Sequence, residues 1–216
     1  MDGMTWWQAV ILGIVEGVTE YLPVSSTGHL LVTQELLGIG TGSPAAREAA
    51  NAYAICIQGG AIVAVLGLYW QRVRQGLVGW GGKVGLGPGD EAGFRLGVNL
   101  IAAFVPAAVI GLALDDLMKS RLFGRWPVVA AWLVGGLAIL AVAWRRRLKG
   151  VAPTEGYELT ALTWRLALVI GLAQCVAMWP GVSRSLVTIV GGVLVGMSLP
   201  AAVEFRLLLG VITLGG

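Results

Sequence analysis

Long apolar runs dominate the chain and are separated by short polar or glycine-rich segments. Three runs, at 51–70, 96–114 and 127–144, have roughly the 20 mostly apolar residues that a membrane-spanning helix needs. Two shorter apolar runs, at 28–37 and 186–197, each follow a polar break that contains proline. A short apolar helix behind such a break is typical of a re-entrant hairpin. The pattern therefore predicts an all-α integral membrane protein.

The chain also contains an internal repeat. Residues 13–21 resemble residues 171–179, and each segment leads through a proline to a serine, Ser26 or Ser183. Three spans, an odd number, separate the two copies, so the copies enter the membrane from opposite sides. We therefore predict one membrane domain, 1–216, built as an inverted-topology repeat with two re-entrant helical hairpins.

The two repeats differ in length. Repeat one covers 6–144 and repeat two covers 160–216. The parts of repeat one are a re-entrant hairpin at 6–38 and spans at 51–70, 96–114 and 127–144. The parts of repeat two are a re-entrant hairpin at 160–198 and a single span at 200–216. By symmetry we expect the second repeat to be truncated, with the chain ending inside a helix and two spans missing.

Composition and charge agree with a membrane protein. Charged residues make up 12% of the chain, about half the share in soluble domains. The net charge of +3 is small and gives no reason to expect a nucleic-acid partner. The loops at 71–93 and 145–159 carry seven basic residues, against four in the loops on the opposite side. The positive-inside rule therefore places these two loops in the cytoplasm.

Two carboxylates share one face of the first apolar helix. Glu16 and Glu20 are four residues apart, which brings their side chains together on a helix. Like charges repel there, and each is costly inside a membrane. One alternative is a structural pair, which is neutralised by partners or lies outside the membrane. The other is a functional pair. A functional pair would bind a hard cation such as Mg²⁺ or Ca²⁺, or would place a general base beside a metal ligand.

The first break also holds hydroxyls and the one histidine of the chain. Ser25, Ser26 and Thr27 directly precede Gly28 and His29. A lone histidine is often a packing residue. Near two carboxylates, His29 is also a candidate proton donor or nucleophile.

The second break supplies an arginine among hydroxyls. Ser183, Arg184 and Ser185 precede Thr188 at the start of an apolar helix. The guanidinium matches phosphate geometry, and a helix N-terminus favours an anion. The alternative is an arginine that snorkels to the interface. Carboxylates in one break and an arginine in the other suit phosphoryl chemistry on a lipid, with attack by a hydroxyl, an imidazole or a water.

These motifs resemble those of a known family. The segment Glu-Gly-Val-Thr-Glu-Tyr-Leu-Pro-Val-Ser-Ser-Thr-Gly-His at 16–29 is similar to the glutamate-rich signature of the undecaprenyl-diphosphate phosphatases. The segment Pro-Gly-Val-Ser-Arg-Ser-Leu-Val-Thr at 180–188 is similar to their second signature. The resemblance extends over nearly the whole chain. Near 205–209 the family usually reads Phe-Ser-Phe-Leu-Leu, whereas this chain has Phe-Arg-Leu-Leu-Leu and so carries Arg206 in an apolar run.

The resemblance implies a function and a location. It implies hydrolysis of undecaprenyl diphosphate to the monophosphate and inorganic phosphate, a divalent cation, and a link to bacitracin resistance. It also implies a multi-pass protein of the bacterial plasma membrane, with membrane lipids around it and a site that faces the outer side. A homodimer is left open. The motif positions implied to be functional are Glu16, Glu20, Ser26, His29 and Arg184.

A different function class also fits the repeat. Inverted repeats with broken helices are a transporter architecture, and the same residues would serve a polyprenyl-phosphate transporter or flippase that binds the head group without hydrolysing it. Release of phosphate from the lipid by the purified protein would separate these two functions.

Overall fold

Helices make up most of the chain. The structure is a computed structural model that describes residues 4–85, 88–122, 125–179 and 181–215. Within these residues it has nine α-helices: α1 (Trp6–Thr19), α2 (Ser26–Leu36), α3 (Pro44–Leu68), α4 (Trp70–Lys83), α5 (Glu91–Leu122), α6 (Arg125–Leu148), α7 (Trp164–Gln174), α8 (Arg184–Leu194) and α9 (Leu199–Gly215). The predicted all-α architecture is therefore confirmed for this part of the chain.

Three of the helices are long and apolar enough to cross a membrane. They are Pro44–Leu68, Glu91–Ala113 and Trp126–Leu148, and most of each lies on the outside of the bundle. The outward-facing side chains are themselves apolar, as Leu112 on α5 and Leu133 on α6 illustrate. Apolar side chains on an exposed helix surface suit hydrocarbon, since lipid does not penalise them as water does.

Two pairs of short helices flank the polar breaks. α1 and α2 pack against each other, and so do α7 and α8. With 14 residues α1 is roughly 21 Å long, and with 11 residues α8 is roughly 17 Å long. Both are shorter than the ~30 Å hydrocarbon core. These lengths are what a re-entrant hairpin requires, but the depth of the hairpins in a bilayer and the division into repeats stay predictions.

The core lies where α5, α7 and α9 meet. Ala103, Ile170 and Phe205 are fully buried in it. A Cβ on Gly171 would overlap the backbone of Ala103, so glycine allows α5 and α7 to pack closely. α9 also packs against α3 and α8. This packing places Arg206 of α9 beside Glu20 at the end of α1.

The segment 71–93 was expected to be a connecting loop, and this expectation is wrong for much of its length. Residues Trp70–Lys83 form α4, which packs along α5. A Cβ on Gly79 would overlap the backbone at Phe94, so the glycine that suggested a loop instead permits close helix packing. Lys83 pairs with Glu91 at 2.9 Å and closes the turn between the two helices.

Candidate active site

Glu16 and Glu20 lie where α1 ends. Glu20 is the C-cap residue of α1, and its backbone N–H donates to the Glu16 carbonyl at 2.8 Å. Glu16 is 1% exposed, and the side chain of Glu20 is 11% exposed. Both carboxylates are therefore held inside the protein, where an unpaired charge is costly.

The carboxylate of Glu20 has a partner on each oxygen. The Ser26 hydroxyl donates to Oε2 at 2.7 Å, and Nη2 of Arg206 donates to Oε1 at 3.1 Å. Nη2 also donates to the backbone carbonyl of Glu20. The alternative in which partners neutralise the glutamates therefore holds for Glu20, and the partner is an arginine from the distant helix α9.

Glu16 is different, because both of its oxygens are buried and make no hydrogen bond with any residue that the structure describes. The charges of Glu20 and Arg184 both act on its carboxyl group. A buried carboxylate without hydrogen bonds needs a proton, a cation or an arriving ligand to offset the loss of water. Glu16 is thus the candidate ligand of the cluster for a cation.

Ser25 and His29 shape the start of α2. Ser25 has φ 66°, the one non-glycine residue with positive φ in the described part of the chain. Such a backbone costs on the order of 1–3 kcal/mol and is typical of functional sites. Nδ1 of His29 lies 2.9 Å from the Ser25 carbonyl. Because a carbonyl only accepts hydrogen bonds, Nδ1 is the donor in this contact.

Trp132 of α6 packs against this turn. Its indole ring lies 5.3 Å from the His29 imidazole, centroid to centroid. A Cβ on Gly28 would overlap the indole ring, which explains glycine at this position. Trp132 thereby restricts the orientation of His29. Sequence reasoning missed this residue, because a tryptophan in an apolar span carries no signal of its neighbour.

The second break supplies Ser183, the N-cap residue of α8. The Ser183 hydroxyl accepts a hydrogen bond from the Leu186 N–H at 3.2 Å, as an N-cap serine does. Arg184 and Ser185 therefore form the first turn of the helix rather than lying in the break. Nη1 of Arg184 donates to the Thr213 carbonyl of α9 at 3.3 Å.

Thr188 and Thr27 are not hydrogen-bonded to the carboxylates in the described part of the chain. The Thr188 hydroxyl is buried and donates within its own hairpin, to the Arg184 carbonyl at 2.8 Å and to Gln174 at 3.4 Å. Thr27 is exposed on α2. Their assignment to substrate binding stays a prediction.

The two breaks meet at Glu20. The Ser185 hydroxyl donates to the Glu20 carbonyl at 3.4 Å, across 165 residues of sequence. Nη2 of Arg206 donates to the same hydroxyl oxygen. Glu20, Ser26 and Ser185 are thereby brought together, as the two motifs suggested. Arg206 was not among the predicted site residues, although a charged residue in an apolar run is a signal for function.

A small pocket opens beside this junction. Glu20, Tyr21 and Arg206 form its polar part, and the Tyr21 hydroxyl donates to the Ala61 carbonyl of α3 at 3.0 Å. The remaining wall consists of apolar side chains and backbone: Ala61, Ile62, Val65, Leu207, Gly210 and Val211. The pocket thus places an ion pair and a phenol among apolar residues.

The two glutamates provide only part of the ligand set that a cation needs. The two free oxygens of Glu16 are suitable ligands, whereas both oxygens of Glu20 already accept hydrogen bonds. No group of three or more histidine, cysteine or acidic residues in metal-binding arrangement occurs in the described part of the chain. Any cation here would thus keep several ligands from water or substrate, as Mg²⁺ commonly does.

Comparison with known proteins identifies relatives over the whole chain. The family model of the bacitracin resistance protein BacA matches residues 9–216. Undecaprenyl-diphosphatase from Sorangium cellulosum is 44% identical over 213 residues, which cover 98% of this chain and 64% of that protein. The enzyme of the same name from Albidiferax ferrireducens is 41% identical over 216 residues, which cover 100% of this chain and 73% of that protein.

The chain spans just under two thirds of the length of the first of these relatives. Its match nevertheless includes both breaks and every residue of the charged cluster. A family model that covers nearly the whole chain, together with identities above 40%, leaves one conclusion. The chain belongs to the BacA family of bacitracin resistance proteins.

Proposed function

We propose that this protein hydrolyses undecaprenyl diphosphate, or a similar polyprenyl diphosphate, to the monophosphate and inorganic phosphate, and so recycles the lipid carrier of cell-wall synthesis. The observation that carries the proposal is the buried junction at which the Ser26 hydroxyl donates to Glu20 while Arg206 and Ser185 approach from the second half of the chain. Relatives that carry the name undecaprenyl-diphosphatase support the same reaction.

The proposed chemistry starts from the pair formed by Ser26 and Glu20. A hydroxyl within 2.7 Å of a carboxylate has the geometry of a nucleophile beside its general base. Ser26 Oγ would attack the terminal phosphorus while Glu20 takes its proton. The bond from phosphorus to the bridging oxygen breaks, and the lipid monophosphate leaves. Water then hydrolyses the phosphoserine and releases inorganic phosphate.

His29 and Arg184 complete the proposed site. Nε2 of His29 would carry a proton to or from the leaving oxygen, since Nδ1 donates to the Ser25 carbonyl. Arg184 begins α8, where its guanidinium and the helix N-terminus would both bind phosphate oxygens. Ser183 and Ser185 flank this position.

We also propose a divalent cation, Mg²⁺ or Ca²⁺, on Glu16 and Glu20. Glu16 fits because its two oxygens have no hydrogen-bond partner among the described residues, and Glu20 would contribute beside its present bonds. When bound, the ion would offset negative charge on the phosphates.

The proposed setting is the bacterial inner membrane, with the site facing the outer side and membrane lipids as neighbours. The positive-inside count supports a cytoplasmic position for residues 71–93 and 145–159, and the outward-facing site is what the family resemblance implies. We propose no nucleic-acid partner. A homodimer remains an expectation, which light scattering in detergent would test.

The test is phosphate release from undecaprenyl diphosphate by the purified chain in detergent, with and without chelator. We expect release of one phosphate per lipid with Mg²⁺ or Ca²⁺ and a large loss when the ion is removed. A folded protein that binds the lipid but leaves it intact would contradict hydrolysis and would favour the transporter alternative, which the names of the relatives do not support.

Arg184→Lys is expected to reduce catalytic efficiency at least about tenfold, which is roughly 1.4 kcal/mol of transition-state stabilisation. A lysine keeps the charge but lacks the planar set of donors that matches phosphate. The matched control is Arg165→Lys, on the exposed side of α7, where Arg165 lies over Trp164. Equal activity of the two variants would mean that Arg184 only anchors α8 to α9.

A further inference from the structure

Arg206 is the most deeply enclosed cation that the structure describes at the junction. The residue lies on α9, is 7% exposed, and is surrounded by the apolar neighbours Phe205 and Leu207. All of its hydrogen bonds with the described residues run through Nη2, to the carbonyl and Oε1 of Glu20 and to the hydroxyl of Ser185. One nitrogen of the guanidinium thus anchors it to both breaks.

The other two nitrogens have no such role. Nε and Nη1 make no hydrogen bond with any residue in the described ranges, yet neither is among the fully buried unpaired atoms. Arg206 lines the pocket beside Glu20 and Tyr21. Of the five N–H donors of the guanidinium, three therefore lack a partner among the described residues without being fully enclosed.

The two carboxylates and the two guanidinium groups of the cluster balance in charge. Glu16 and Glu20 are matched by Arg184 and Arg206, and the charge of Arg184 acts on both Glu16 and Arg206. A diphosphate that approaches Glu20 is repelled unless a cationic donor faces it.

We propose that Arg206 is a second phosphate-binding arginine of this site. Nη2 is anchored to Glu20 and Ser185, while Nε and Nη1 donate to a phosphoryl oxygen of the lipid diphosphate in the pocket of Glu20 and Tyr21. The prenyl chain leaves along the apolar wall of α3 and α9. The inference rests on the proposed function and adds a residue to it.

A purely structural arginine would be arranged differently. A buried ion pair stabilises little unless the remaining donors are also satisfied, and an unsatisfied buried donor costs about 1–3 kcal/mol. The other ion pair of α9 shows the contrast. Nε of Arg72 donates to Glu204 at 2.7 Å and Nη1 donates to Gln75 at 3.3 Å, so this guanidinium uses two of its three nitrogens within the protein.

The experiment measures the affinity of a non-hydrolysable prenyl methylenebisphosphonate for the purified chain in detergent. We expect Arg206→Ser to weaken binding at least about tenfold, which is roughly 1.4 kcal/mol. Binding of the corresponding prenyl alcohol, which lacks phosphate, is expected to be unchanged. Arg72→Ser is the matched control, since it also removes an arginine that pairs with glutamate, and is expected to bind the bisphosphonate as the unmodified protein does.

A second variant keeps the inference testable if Arg206→Ser does not fold. Arg206→Lys keeps a positive charge beside Glu20, but one ammonium cannot hold Glu20 and Ser185 and also donate into the pocket. We expect it to fold and to bind the bisphosphonate at least about fivefold more weakly, roughly 1 kcal/mol.

The outcomes separate this inference from the proposed function. If both folded variants bind the bisphosphonate with unchanged affinity while turnover falls, Arg206 only positions Glu20 and the inference is overturned. If the unmodified protein releases phosphate and Arg206→Lys has the same affinity for the bisphosphonate and the same rate, the inference about Arg206 is wrong while the proposed function stands. If the unmodified protein neither binds the bisphosphonate nor releases phosphate, the proposed function fails first.

Discussion

Glu20→Gln is expected to lower the rate of phosphate release at least about 100-fold, the lower end of what a general base contributes. The amide has nearly the same shape and still offers an oxygen to Arg206, so the contact at 3.1 Å can persist. It cannot take a proton from Ser26, whose hydroxyl donates to Oε2 at 2.7 Å. The measurement is single-turnover phosphate release with saturating enzyme, which reports the chemical step.

Glu48→Gln is the matched control, because Glu48 is exposed near the start of α3. It is expected to react as the unmodified protein does. If Glu20→Gln retains more than about a tenth of the rate, Glu20 does not act as the base for Ser26, and His29 becomes the candidate.

Glu16→Gln is expected to lower turnover by a similar factor, at least about 100-fold, without lowering the thermal midpoint. Both oxygens of Glu16 are buried and make no hydrogen bond with the described residues. Because a neutral amide is less costly to bury than an unpaired charge, the variant is expected to be as stable as the unmodified protein or more stable. The loss of activity follows from the loss of the proposed cation ligand.

Thermal unfolding with and without Mg²⁺ or Ca²⁺ gives a readout apart from turnover. A ligand that binds only the folded state raises the midpoint, so the unmodified protein is expected to gain stability from the cation and the variant to gain none. A variant that is stabilised by the ion to the same extent would mean that the cation does not bind at Glu16. A variant with a lower midpoint would show that the carboxylate has a structural partner.

The two glutamates lie in different surroundings, which bears on how their loss affects stability. Glu20 is in an ion pair with Arg206, and breaking a buried pair by removing one partner typically costs about 3–5 kcal/mol. Glu16 has no such pair. Two residues that look equivalent in sequence, one helical turn apart, are thus expected to respond differently to the same substitution.

Much of the fold and of the site could be predicted from the sequence. Apolar runs of about 20 residues predicted the three long helices, because backbone groups in lipid must bond within their own helix. The motifs at 16–29 and 180–188 predicted the carboxylates, hydroxyls and arginine that lie at the two breaks. The spacing of Glu16 and Glu20 predicted their shared helix, since i and i+4 positions are neighbours in any α-helix.

Other features could not be predicted from the sequence, because they depend on which helices pack against each other. The glycines of 71–93 suggested a loop, yet at Gly79 the missing side chain allows α4 to pack on α5. Glycine favours both loops and close helix contacts, and only the neighbouring helix distinguishes the two. In the same way, the contact of Trp132 with His29 depends on α6 lying beside α2.

The sequence by itself determined the helices, the membrane character and the chemical groups available in the two breaks, because apolar length and helical spacing act over a few turns of one segment. Only the tertiary structure decided how these groups are paired. It joins Arg206 to Glu20 across 186 residues and gives the oxygens of Glu16 no hydrogen-bond partner among the described residues. The pairing of a buried charge depends on which distant helix packs against it, and side-chain spacing within one helix carries no information about that.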